Sequence, residues 1–483
     1  MTPENLVQRG EAFHQALGRE YYLAGAGLKL EAQFQAIYDQ FADLQHAEAL
    51  EAARASGVPS IWEWAVDLRV GRATAGLDER QLAWETEAVL SVDGRKIPYL
   101  RAPIELQNTA DRAFRQALDR VRSKTGAVGL AGLRRDRIGY EHEVTRRLGG
   151  NDDYVTALAT VARIDLEALG SACAVLLEET EGLYREALGR LARRRLGLPV
   201  GELTRADVGW LFRADGWDAA FTPDALIPTA ERHMSDLGLA ARREGRVVFD
   251  TEERPAKQPR AFCVPVRVPD EVYLVLRPRG GHTDYRTFWH ELGHAMHFAA
   301  IPGSAPFHAR WLGDNSVTEG FAMLWDHLTI DRGWLGHYTP LAGLDDLVFE
   351  LAVNELYMLR RYAAKLGYEL WLHRSDLGQP GPEYAQRLTD ATLVRYPEED
   401  ALLDVDPAFY SARYLRAWQL EGTWAEVFQE RYDEDWWRNP AAGTLVDDLM
   451  SRGQADGADA FAAAVDRTLS FAPAVQRLVR VLA

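Results

Sequence analysis

The sequence predicts a mainly α-helical protein with a small β-sheet. Three observations carry this reading. Apolar residues recur at three- and four-residue spacing through most of the 483 residues. Only two short stretches alternate with a period of two. The composition, 47% hydrophobic and 26% charged, is that of a globular chain with ample length for a large core. Length alone permits two or three domains.

Taken in order, the first helical pattern runs from Pro3 to about Ser56. Within it, "GLKLEAQFQAIYDQFADL" places Leu28, Leu30, Phe34, Ile37, Tyr38 and Phe41 mostly at helical spacing. The segment "EAVLSVDGRKIPYLRAP" alternates loosely around Asp93-Gly94 and reads as a hairpin. Helical periodicity returns from about Asn108 to Leu196. "LGLPVGEL", residues 196–203, is the best candidate boundary, because Gly and Pro punctuate it. It divides the chain into a helical N-terminal region, 1–200, and a region 201–483. No internal repeat or low-complexity tract is visible.

The second β signal is "RAFCVPVRVPDEVYLVLRPRGG", residues 260–281. Val264, Val266 and Val268 alternate with Pro265 and Arg267, and Val272, Leu274 and Leu276 alternate with Tyr273, Val275 and Arg277. Pro265, Pro269 and Pro278 argue for short or edge strands. Gly280-Gly281 then turns the chain into a helix that starts near Asp284. Beyond it nearly everything reads as helix.

The bulk numbers exclude several classes. A formal charge of −17 repels phosphate backbones, so nucleic acid is not an expected partner. Two cysteines, Cys173 and Cys263, make neither a disulfide framework nor a zinc cage. They read as buried free thiols in a reducing compartment. The charged N-terminus lacks the apolar core of a secretory signal. No window approaches ~18 uninterrupted apolar residues, so no membrane span is expected. Together these predict a cytoplasmic location.

Chemistry enters with "TFWHELGHAMHFAA", residues 287–300. His290 and His294 are four apart, one turn along the same helix face, and both imidazoles can reach a single ion. Zinc suits the pair because it accepts nitrogen and oxygen ligands in a tetrahedron. Glu291, one residue after the first ligand, reaches the open side of such an ion and can take a proton from a water there.

A catalytic zinc needs a third protein ligand. The metzincin spacing fails, because its Gly and His positions hold His297 and Ala300. Two acids follow, Asp314 in "LGDNSVTEG" and Glu319 inside the helix "VTEGFAMLWDHL". A helix holds a ligand more rigidly than a loop, so Glu319 is preferred. At 100° per residue, Asp326 falls within about 20° of Glu319. It can accept a hydrogen bond from a zinc-bound histidine and fix its tautomer. Ser316 with Glu319 also has capping-box spacing, a use that would place the glutamate poorly for ligation.

"FWHELGHAMH", with a glutamate 25 residues after the second histidine, resembles the M3 metallopeptidases, the gluzincin group of thimet oligopeptidase and oligoendopeptidase F. "YLVLRPRGG" is similar to that family's substrate-binding edge strand, and "KQPRAFCVPV" to the segment before it. The resemblance runs from about Thr251 to Leu328. It implies one zinc ion per chain in a mostly helical, two-lobed ellipsoid with a deep central channel. Residues 1–200 would form part of the channel wall, and the sheet would lie next to the zinc helix. It also implies cleavage of short, unfolded peptides.

The family's C-terminal tyrosine motif is best matched by "DPAFYSARYLRAW", residues 406–418. Asp406 as N-cap and Pro407 at the first helical position start a helix. Tyr410 and Tyr414 then share a face. The resemblance implies that they donate to the oxyanion; a core aromatic stripe is the other reading. Arg413-Tyr414 is also similar to the related angiotensin-converting-enzyme group. The family's third tyrosine and its histidine are replaced by Ala417 and Val405. His297 matches the family's histidine tail, as a residue behind the ligands or in packing. His282, His308 and His327 read as surface or core.

The expected activity is therefore zinc-dependent hydrolysis of peptides by an activated water. Two alternatives stay open: an M32-like metallocarboxypeptidase, and a zinc-containing peptide-binding protein with weak catalysis.

Overall fold

Asp93 and Gly94 both take positive φ, 49° and 77°. This is the mirror-image turn that an Asp-Gly pair favours between strands. Strands β1 (Val89–Val92) and β2 (Arg95–Pro98) pair antiparallel across it. Leu90, Val92 and Ile97 bury their side chains with Tyr99, Phe114 and Leu118.

The structure is a computed structural model that describes every residue except Arg243, Pro259 and Asp376. Pro259, within "KQPRAFCVPV", thus lies outside the described residues. The protein is mainly α-helical, with the hairpin and one three-stranded mixed sheet. In that sheet β3 (Val247–Asp250) runs parallel to the central β5 (Glu271–Val275), and β4 (Phe262–Arg267) pairs antiparallel on its other side. Pro265 sits on β4, at the sheet edge, where a missing N–H costs least. The sequence reading found β4 and β5 but not β3, whose four residues pair with a strand more than twenty positions later.

One early expectation needs correction. The first helix, Pro3–Gly25, is followed by a turn and then by a short helix, Phe34–Gln40. Leu28 and Leu30 are 49% and 89% exposed and belong to no helix. Gly27 turns the chain at φ 69°, and Lys29 is drawn back to Glu20 at 2.8 Å. A glycine in the left-handed region ends a helix despite an apolar period that continues past it.

The chain forms two units. The first comprises Met1–Leu68, Asp215–Val348 and Arg416–Ala474. The second comprises Arg69–Ala214, Phe349–Leu415 and Val475–Ala483. Leu6, Phe13, Ile301 and Phe307 lie in the core of the first, and Tyr184, Leu188, Leu356 and Tyr368 in that of the second. The units interleave in sequence, and the crossing nearest the expected division falls at 214/215. "LGLPVGEL" begins as a helix end: Gly197, at φ 68°, terminates the helix Glu181–Leu196.

In the first unit two helices position the histidine motif and the candidate acid. The motif helix spans His282–Ala300, and the Glu319 helix spans Asn315–Asp326. They touch backbone to backbone at Gly293. A Cβ there would lie 2.6 Å from the Phe321 carbonyl oxygen and from Ala322 Cα. Leu292, Ala295 and Met296 on the motif helix are buried. Among the described residues no helix is long and apolar enough to cross a membrane.

Candidate metal centre

Gly281 starts the motif helix at φ 89°, and the Asp284 carboxylate accepts from the backbone N–H groups of Arg279 and Gly280. His290 and His294 follow on one face, with ring centroids 4.9 Å apart and planes nearly perpendicular. The Glu319 helix is capped by Asp314, whose carboxylate accepts from Ser316 N at 2.9 Å and Ala458 N at 3.1 Å. This separates the two acids weighed from the sequence. Asp314 is engaged at the helix end, and Ser316 is not the cap. Glu319 lies a turn further in, with its Oε2 3.3 Å from His290 Nε2 and 3.7 Å from His294 Nε2.

The other ring nitrogens are held from behind. His290 Nδ1 lies 2.9 Å from Asp326 Oδ2, and His294 Nδ1 lies 2.9 Å from Thr318 Oγ1. A carboxylate only accepts, so Asp326 holds a proton of His290 on Nδ1 and leaves Nε2 as the nitrogen turned towards Glu319. His290, His294 and Glu319 offer ligand atoms all within 4.8 Å of one another. A tetrahedral zinc with bonds of about 2.0–2.1 Å sets its ligands about 3.3–3.4 Å apart. The observed 3.3 and 3.7 Å spacings fit that ion.

The two rings differ in charge state. Burial lowers the His290 imidazole, but hydrogen bonds and charge from Asp326 and Glu319 outweigh it and hold it up at about 10. Without an ion His290 is thus an imidazolium protonated on Nε2 as well, and a metal bound there would take that proton's place. His294 is pushed down to about 4, chiefly by burial, so its imidazole is neutral and able to ligate.

Glu291 is held from the sheet. Its Oε2 accepts from the backbone N–H of Cys263 on β4 at 2.8 Å. Burial pushes its carboxyl up to about 7, against the lowering effect of His290 and the Cys263 N–H. A group of that basicity can take and return a proton near neutral pH. Cys263 itself is a free thiol, as is the buried Cys173.

His297 is fully buried, its ring 4.7 Å from that of Phe321. It makes no hydrogen bond to His290 or His294 among the described residues, which favours packing over a supporting role. Sequence reasoning missed Thr318 and the Cys263 N–H. No spacing rule could have found them, because each reaches the motif from a different element.

Tyr410 and Tyr414 lie in the second unit. Both are half-buried, their rings edge to face at 5.1 Å, and Tyr414 also meets Tyr362 at 5.4 Å. They share a helix face, but the α-helix begins at Tyr410 and not at Pro407. Asp406 makes no capping hydrogen bond; its side chain pairs with Lys365 at 2.8 Å. The turn before the helix places both Ala408 and Phe409 at φ 49°. Two buried glutamates hold it: Glu141 accepts from Ala408 N, and Glu369 accepts from Asp406 N, each at 2.8 Å. Non-glycine residues rarely occupy that region, so the sequence carried no sign of the turn.

No protein-family profile and no curated protein sequence matches the chain. Solved structures do. A Chlamydophila abortus protein provisionally assigned as a peptidase aligns with TM-score 0.65 and 13% identity over 93% of this chain and 79% of its own. A Bacillus anthracis protein provisionally assigned as an oligoendopeptidase F aligns with TM-score 0.63 and 13% identity, covering 97% and 81%. A further structure with the same assignment gives TM-score 0.64 and 13% identity over 96% and 85%. At this identity the likeness is one of fold, mainly α-helical with a small sheet.

Proposed function

We propose that the chain is a zinc-dependent peptidase of the M3 type, acting on short, unfolded peptides. The observation that carries the reading is the arrangement of the two imidazoles. Both Nε2 atoms face one carboxylate oxygen at 3.3 and 3.7 Å, while both Nδ1 atoms are tied from behind. The shared fold with structures assigned as peptidases supports it.

In this reading His290, His294 and Glu319 hold the ion, which supplies Lewis acidity to a water and to the scissile carbonyl. Asp326 and Thr318 keep the imidazoles turned towards it. Glu291 is the general base: it removes the proton of the attacking water and returns it to the leaving amine. The Cys263 N–H holds one oxygen of that carboxylate and so aims the other. Tyr410 and Tyr414 are assigned as phenol donors to the developing oxyanion, a role that rests on the family resemblance. The preference for unfolded peptides rests on the same resemblance.

Elemental analysis and a peptide-cleavage assay test the reading together. One zinc per chain is expected, with cleavage abolished by a chelator and restored by zinc. Full activity in metal-free protein would remove the metal from the reaction. Efficient digestion of a stably folded protein would contradict the substrate class.

A further inference from the structure

Behind Asp326 lies a second layer of buried polar groups that the reading above does not use. Oδ2 of Asp326 holds His290. Oδ1 faces two other groups, His327 Nε2 and an Arg286 guanidinium nitrogen, each at 3.5 Å. His327 is fixed in turn: its Nδ1 lies 2.9 Å from Glu421 Oε2. His327 and Glu421 are 4% and 1% exposed. A buried glutamate without compensation is costly, so a pair sealed this far from water is held in one geometry.

The backbone around the pair is pinned as well. Thr329 Oγ1 donates to the Asp326 carbonyl at 2.7 Å, and His282 Nε2 meets the Thr329 carbonyl at 2.8 Å. His282 is the first residue of the motif helix. The short helix His327–Ile330 is therefore tied both to the ligand-bearing helix and, through Glu421, to the helix Tyr410–Tyr432.

We propose that Glu421 and His327 are positioning residues that set metal affinity through Asp326. Glu421 fixes the His327 ring. His327 and Arg286, on either side of Oδ1, fix the rotation of the Asp326 carboxylate. That rotation aims Oδ2 at His290 Nδ1, and so turns Nε2 towards the ion. The inference rests on the metal reading above and extends it one layer outwards, to a histidine that the sequence offered only as surface or core.

A double-mutant cycle on full-length protein tests it, with zinc affinity read by competition against a chromogenic chelator. Asp326→Asn should weaken zinc by about 10–100-fold. Glu421→Gln, which keeps the shape and one acceptor, should weaken it by about 3–10-fold, as should His327→Gln. The double variant Asp326→Asn/Glu421→Gln should bind no more weakly than Asp326→Asn alone, because the outer pair acts only through the aspartate. The cobalt(II) forms of the two outer variants should show altered visible spectra, a change that lost stability alone does not produce. Additive losses, or wild-type affinity in both outer variants, would overturn the proposal. If Glu421→Gln proves unstable in thermal melts of the metal-free protein, His327→Gln carries the same cycle. Wild-type protein that binds no zinc would instead overturn the metal reading beneath it, an outcome distinct from zinc binding without coupling.

Discussion

Each unit buries a polar centre, and the two differ in how they balance charge. In the second unit Glu369, Asp404 and Asp406 face Arg361 and Lys365. Arg361 reaches both oxygens of Asp404 at 2.6 and 2.7 Å, and Lys365 reaches Asp406 at 2.8 Å. Burial would raise the Asp404 carboxyl, yet Arg361 and Lys365 hold it down at about 2. In the first unit Glu319 lies against both imidazoles and Asp326 against that of His290, and Arg286 comes only to within 3.5 Å of Asp326. There the excess of acid is expressed on His290, held up at about 10. Burial raises the Glu369 carboxyl to about 8, so Asp404 and Asp406 meet Arg361 and Lys365 one for one. A centre that closes its own charge in this way is structural. One that turns two imidazole Nε2 atoms towards a shared carboxylate, with acid in excess, is suited to receive a cation.

The sharpest way to break this comparison is to remove the acid that the ion would share. Glu319→Ala should abolish stoichiometric zinc, whereas Asp314→Ala should keep zinc and lose about 1 kcal/mol of helix-cap stability. Metal analysis beside urea unfolding separates the two, and the reverse pattern would exchange their roles. Next in size, Glu291→Gln should retain zinc and lose about 10²–10⁴-fold in kcat, since an amide cannot accept the proton. Unchanged turnover would take Glu291 out of the mechanism.

The second unit supplies smaller tests. Tyr410→Phe or Tyr414→Phe should cut kcat by ~10²–10³ with little change in KM, because only a transition-state donor is lost. Tyr414 is the stronger candidate of the two. If both single variants and the double variant turn over normally, the aromatic-stripe reading stands. Arg361→Met should cost about 3–5 kcal/mol in urea unfolding by leaving Asp404 short of its partner. Zinc content should not change, and a variant that also lost zinc would blur the distinction drawn above.

A pH effect is shared by both units. Burial pushes His233 in the first and His142 in the second down to about 4, from an ordinary 6.5. The unfolded chain therefore takes up these protons first. The share of stability that these two groups carry is whole above about pH 6.5 and falls as pH drops towards 4, by at most about 1.4 kcal/mol per pH unit for each group. Urea midpoints at pH 7 and pH 5 measure it. Equal midpoints would mean that these rings are protonated in the folded state.

Much of the first unit's site was legible because its chemistry is local. His290, Glu291 and His294 lie within one turn and a half, and Glu319 and Asp326 share one short helix. The hairpin was legible for the same reason, since Asp93-Gly94 encodes its own turn. What escaped notice depends on distant partners. β3 pairs in parallel with a later strand, Thr318 and Cys263 N–H reach the motif from other elements, and His327 gains its meaning from Glu421, 94 positions on. The helix expected through Leu28 and Leu30 failed in the opposite way, because one glycine outweighed a good apolar period. The Ala408–Phe409 turn was hidden because the residues that fix it, Glu141 and Glu369, lie far away in the chain.

The contact at Gly293 changes what the His-Glu-x-x-His pattern means in this chain. Leu292 is fully buried, and Gly293 has a neighbouring backbone where a side chain would begin. Both unspecified letters of the pattern are thus spoken for, one by the core and one by the partner helix. The pattern acts as a constraint on five positions. A homologue that spelled its three named letters but carried a bulky residue at the second x would hold the helices apart, and its glutamate would stand out of reach of both imidazoles. In a chain that packs this helix pair, the three letters alone are therefore not enough, and the fourth position has to be small as well.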